Sequence, residues 1–130
     1  MSMSASTPFI AIFQDDIHEA IFQNMKPATL DEYFGYLETV FKTNPAGKRV
    51  NILLNASSEL PAFKNLSVRD RALRAKFRPA PFVRLAVLYE KQTHLYFINM
   101  MLRVINMNSH MEMQIFPAHE REAARAWLLR

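Results

Sequence analysis

Two short runs almost free of polar residues limit what this chain can fold into: V-N-I-L-L at residues 50–54 and F-V-R-L-A-V-L-Y at residues 82–89. A strand with one face in water alternates apolar and polar residues, and these runs do not. They suit strands covered on both faces, which is the situation of a largely parallel sheet lying between helices. Parallel strands need crossover connections of a dozen residues or more, so helices are expected between them. A layered α/β domain follows, and 130 residues suit one such domain.

The rest of the chain fits that frame. F-I-A-I-F-Q (residues 9–14) and I-H-E-A-I-F-Q (residues 17–23) are β-prone runs separated by Asp15-Asp16, the pattern of an antiparallel hairpin. Adjacent Asp residues there are read as turn formers, not as metal ligands or acid catalysts. Thr29 followed by Glu32 reads as a capping box opening an amphipathic helix, with Leu30, Tyr33, Phe34, Leu37, Val40 and Phe41 on one face. Asn44-Pro45 and Gly47 end it.

Beyond the strand at residues 49–55, a polar loop (residues 56–66) leads to Ser67, read as the cap of a second helix with Asp70 completing the box. Val68, Ala72 and Ala75, with Leu73 and Phe77, are expected to face inward. Arg71, Arg74 and Arg78 are expected to share the solvent side. Pro79-Ala80-Pro81 stops this helix ahead of the strand at 82–89. A third helix over residues 93–107, a half-exposed strand over 111–116, and a last helix opening near Pro117 complete the chain. Ala123, Ala124, Trp127 and Leu128 form the inner face of that last helix. The expected order is ββαβαβαβα: a mostly parallel sheet with an antiparallel edge hairpin, in one domain at 9–130 after a flexible start at 1–8.

Composition removes several chemistries. Without Cys there are no disulfides, thiolate metal sites or thiol nucleophiles, and a reducing cytoplasm is the expected compartment. Gly35 and Gly47 are the only glycines, too few for a phosphate-cradling loop or a dinucleotide fingerprint. His18, His94, His110 and His119 fall in four different places, none at a metal-ligand spacing, so no metal and no cofactor is expected. Ser57, Ser58 and Ser67 lack the flanking glycines of a nucleophile elbow. The residues at 95–107 are apolar but interrupted by Asn99, Arg103 and Asn106, and too short to span a bilayer.

Two surfaces are left as candidates. One is the stretch Ser57, Ser58, Lys64, Asn65, Ser67, Arg71, Arg74 and Arg78, a polar loop beside a basic helix. Cations on one helix face would suit nucleic acid, but the net charge is only +4 and no recognition motif accompanies them, so a solvated or partner-facing surface is preferred. The other is the greasy segment carrying Tyr96, Phe97, Met100, Met101, Val104 and Met107, more apolar than one sheet-facing stripe requires. A homodimer seam is the favoured cover for it, and the wall of an apolar pocket is the alternative.

Element order, the buried strand followed by loop and capped helix at 49–77, V-R-L-A-V-L, and the ending Q-I-F-P-A-H-E-R-E-A-A-R-A-W-L together resemble the SpoIIAA-like branch of the STAS (sulfate transporter and anti-sigma factor antagonist) superfamily. The resemblance covers residues 9–130. It implies a stand-alone regulatory or protein-binding domain and, by the likeness of that fold to lipid-carrier domains, an apolar ligand as the alternative. Regulatory members carry a phosphorylatable Ser in an Asp-Ser-Ser-Gly motif. Here Asn65-Leu66-Ser67-Val68 keeps one hydroxyl and lacks the Asp, the first Ser and the Gly. The expectation is therefore a non-enzymatic, homodimeric interaction domain; a lipid or other apolar-ligand binder ranks second, and an enzyme with an irregular site third.

Overall fold

In the computed structural model, which describes residues 9–24, 26–55, 63–90 and 111–130 (only the backbone at 63–67), five strands form one sheet in the order of the sequence. They are β1 (Phe9–Gln14), β2 (Ile17–Phe22), β3 (Val50–Asn55), β4 (Val83–Tyr89) and β5 (Met111–Pro117). β1 pairs antiparallel with β2, and every later pairing is parallel. Helix α1 (Pro27–Thr43) joins β2 to β3, α2 (Phe63–Lys76) lies between β3 and β4, and a 3₁₀ turn (Ala118–Glu120) leads from β5 into α3 (Arg121–Leu128). The mixed sheet with its antiparallel edge hairpin matches the expected architecture. The expected flexible start at 1–8 and the expected helix at 93–107 lie outside the described residues.

Both faces of the sheet are buried, as the two apolar runs require. Val50, Ile52 and Leu54 of β3 and Val83, Leu85 and Val87 of β4 point to one side, where Leu30, Tyr33, Leu37, Val40 and Phe41 of α1 and Leu73 of α2 cover them. Leu53, Ala86 and Leu88 point the other way, with Ile17 and Phe116, against Ala124, Trp127 and Leu128 of α3. Parallel crossovers that step in one direction share a hand, so α1 and α2 fall on the same face. That leaves the opposite face for α3.

Asp15 and Asp16 adopt φ of 54° and 62°, the left-handed conformation of a two-residue hairpin turn. The turn reading holds. Their carboxylates reach out of the hairpin, Asp16 to Lys48 at 2.9 Å and Asp15 to Arg125 at 3.6 Å.

Helix α1 starts two residues before the expected capping box. Pro27 occupies the first turn, where its missing N–H is no loss. Asn24 Oδ1 accepts from the Lys26 N–H (3.0 Å) and from the Thr29 hydroxyl (2.5 Å). Thr29 is buried inside the helix and does not cap it. Helix α2 likewise begins at Phe63, placing Ser67 in its second turn and not at its cap. The Ser67/Asp70 pattern is local, whereas the preceding Phe63-Lys64-Asn65-Leu66 contains no helix breaker and continues the helix backward.

Polar contacts tie α3 to the sheet. The Arg49 guanidinium donates to the Leu128 carbonyl (2.8 Å) and, through Nε, to Asn51 Oδ1 (2.8 Å). Arg84 donates to the Trp127 carbonyl (2.8 Å) and lies 4.9 Å from the Trp127 ring centre. Two cations thus meet the carbonyl end of the helix, where its dipole favours them. Asn51, the polar member of the β3 run, is buried and satisfied by Arg49 and by the Asp16 carbonyl (3.1 Å). At the other end of α3, Arg121 grips Glu19 of β2 with both guanidinium nitrogens. Glu19 is only 4% exposed, so removing that grip would leave a buried carboxyl without its partner. Of the expected inner residues of α3, Ala123 is exposed, because Ala124, Trp127 and Leu128 alone fill the contact with the sheet.

His18 stands half-buried in β2, stacked on Phe13 at 4.3 Å with Nδ1 2.7 Å from the Tyr36 hydroxyl. Burial holds its pKa below the usual 6.5, Lys48 adds to that effect, and Asp16 opposes it. A depressed histidine is neutral in the folded state where the unfolded chain would already take a proton. Stability is therefore full above pH 6.5 and declines as pH falls from there toward the lower folded value. Urea midpoints measured from pH 8 to 5.5 should fall less steeply in His18→Gln than in the wild type; equal slopes would remove His18 as the cause. Arg121→Met should cost about 2–4 kcal/mol in the same assay, because it strands the Glu19 carboxylate. Glu19→Leu combined with Arg121→Leu should recover most of that loss.

Candidate interaction surface

Among the described side chains of helix α2, Leu73 is the fully buried one, and Phe77, just past its end, stacks edge-on with Phe41 at 5.5 Å. Charged pairs clamp α2 to α1: Arg69 to Asp31, and Lys76 to Glu38 at 2.8 Å. Lys76 pulls the Glu38 carboxyl below its ordinary pKa, mainly by hydrogen bonding. Both pairs are largely in water, so they orient the helix more than they stabilise it.

This packing corrects the expected faces. Val68, Ala72 and Ala75 point to solvent, Val68 at 56% exposure. A helix held to its neighbour by ion pairs needs less apolar surface than its periodicity alone suggests. Arg71 and Arg78 are exposed as expected. Arg74 is not: its side chain is only 12% exposed, turned inward with Nε 3.2 Å from Asp70 Oδ2. The expected Asp70–Arg74 pair is therefore present, on the inner flank of the helix.

The outward face of α2 thus carries Val68, Ala72 and Ala75 with Arg71 beside them, and Arg78 is exposed two residues beyond the helix end. Neither Arg71 nor Arg78 forms an ion pair with another described residue. Lys64, Asn65 and Ser67 belong to the first turns of the same helix, where the backbone alone is described. Ser57 and Ser58 lie outside the described residues, as do Tyr96, Phe97, Met100, Met101, Val104 and Met107. Of the arginine-bearing candidate surface, Arg71 and Arg78 are exposed and Arg74 is withdrawn.

Among the described residues no group of three or more His, Cys, Asp or Glu could hold a metal ion. No helix among them is long and apolar enough to cross a membrane. The Glu19–Arg121 pair and the arginines that meet α3 had no local sequence signal, since their partners are up to 102 residues apart. A buried acid in an otherwise β-prone run, Glu19 in I-H-E-A-I-F, is the one hint the sequence offered.

Comparison with known proteins bears on what such a surface is for. The family model described as SpoIIAA-like matches residues 10–129. Neither the curated proteins nor the solved structures contain a significant match. With a hairpin-edged parallel sheet, helices on both faces and a family match over nearly the whole chain, the protein belongs to the SpoIIAA-like family.

Proposed function

We propose that this chain is a non-enzymatic regulatory or protein-interaction domain that meets an acidic partner through the outward face of α2. Membership of the SpoIIAA-like family supports a regulatory or interaction role at the level of the family. The observation that carries the reading is the composition of that face: a half-exposed valine and two exposed alanines beside Arg71, with exposed Arg78 just past the helix end and no ion pair to either arginine among the described residues. Small apolar residues let another surface approach the helix closely. Rim arginines then select it by charge and speed encounter.

Homodimerisation through the segment at 93–107 is part of this reading, on the strength of its apolar sequence. The second reading, a lipid or other apolar ligand held by the same segment, is separated from it by native mass spectrometry. A dimer mass free of adduct favours the first, and a retained lipid favours the second.

The partner surface is tested by Arg71→Glu with Arg78→Glu. Both positions are solvent-facing, so unfolding free energy should change by less than about 1 kcal/mol. Proximity labelling in cells should lose the neighbours seen around the wild type, whereas Glu122→Lys, an exposed position of α3 on the other face of the sheet, should keep them. Identical neighbours for all three proteins would sink the reading.

A further inference from the structure

Arg74 is the one group among the described residues whose buried side-chain nitrogens lack partners. Nη1 and Nη2 are both out of contact with solvent, and neither has a hydrogen-bond acceptor. Its only bond runs from Nε to Asp70, long at 3.2 Å. Around it stand the buried Tyr33 of α1, close enough for the charges of Asp70 and Arg74 both to act on its phenol, and Leu73 beside it in the helix.

A guanidinium never gives up its proton in a protein, so burial cannot be relieved by neutralisation, as it could for lysine. Its Nε edge is occupied and its Nη edge has no acceptor. Buried polar groups in native proteins nearly always find partners, and a charged donor is the most costly to leave without one. The unpaired edge presents two N–H groups side by side, the fork that fits the two oxygens of a carboxylate or phosphoryl group. Asp70 already balances the guanidinium charge, so what the Nη edge lacks is acceptor atoms, which an oxyanion supplies in pairs.

We propose that the Nη edge of Arg74 is a binding site for an oxyanion, a carboxylate or phosphoryl group, held between α2 and the core. Arg69 and Lys76 are spent on α1, and Arg71 and Arg78 point to solvent, so Arg74 is the arginine of this helix placed to receive a ligand inside the fold. The site lies on the inner flank of α2. Its failure would therefore leave the outward interaction face untouched.

The test uses the full chain, as wild type, Arg74→Met and Arg74→Lys, with three probes: inorganic phosphate, decyl phosphate below its micellar concentration, and decanol. Thermal unfolding and calorimetric titration are read for each. Without a probe, Arg74→Met should melt close to the wild type, because it removes two unpartnered buried nitrogens at the cost of one long bond to the part-exposed Asp70. A wild-type shift with inorganic phosphate that disappears in Arg74→Met supports a free-anion site. A shift with decyl phosphate alone supports the head group of an amphiphile. In either case Arg74→Lys, which keeps the charge and loses the fork, should weaken binding by about tenfold or more. The proposal is overturned if decanol binds as tightly as decyl phosphate, if the variants bind as the wild type does, or if no probe binds. It is equally overturned if Arg74→Met alone melts well below the wild type, since the guanidinium would then already be satisfied within the protein.

Discussion

The structure depends on β3 and β4 being covered from both sides. A parallel pair buried on two faces cannot rest on one helix layer, and each alternate residue of these strands calls for its own cover. Val50, Ile52 and Leu54 call for α1 and α2; Leu53, Ala86 and Leu88 call for α3. Leu53 and Ala86 have no solvent exposure at all. The polar contacts are arranged around the demand for α3: Arg49, Arg84 and Arg121 act through their guanidinium groups, and each holds that helix where the strands need it.

Most of the described cover on the α2 side of the sheet comes from α1, which contributes five large buried side chains, against Leu73 among the described side chains of α2. What positions α2 beside α1 is charge at its flank, Asp31 with Arg69 and Glu38 with Lys76, and charge tolerates a surface position that apolar packing would not. The family relationship supports a regulatory or interaction role at the level of the family.

How far the sequence disclosed this varies with the range of the forces involved. The runs at 50–54 and 82–89 announced the sheet because burial on both faces is written into every residue of a strand. The Asp15-Asp16 turn was legible because left-handed backbone is a local property. Helix starts were misplaced where a short-range capping pattern competed with a longer one: Thr29 and Ser67 both look like caps, yet Thr29 is buried against Asn24 and Ser67 lies inside a helix begun at Phe63. The inner face of α2 was misread because periodicity assigns burial to alanines and valine, whereas ion pairs with α1 hold the helix with those residues in solvent. Only the neighbouring helix could reveal that Arg74 points inward while Arg71 does not.

The division of the sheet into two covered faces also divides the work of folding. On the α1 and α2 side, strands and helices that adjoin in sequence close short loops, and that core can assemble piece by piece along the chain. On the α3 side, the grip of Arg121 on Glu19 closes a loop of 102 residues and that of Arg49 on the Leu128 carbonyl a loop of 79. Loop closure grows more costly with length, and contacts of this span are the slow ones to form. The second face is therefore the one whose completion waits on the first: a chain whose hairpin, α1 and β3 are already docked offers α3 a finished surface, and until it arrives Leu53 and Ala86 are the apolar residues most exposed to a wrong encounter.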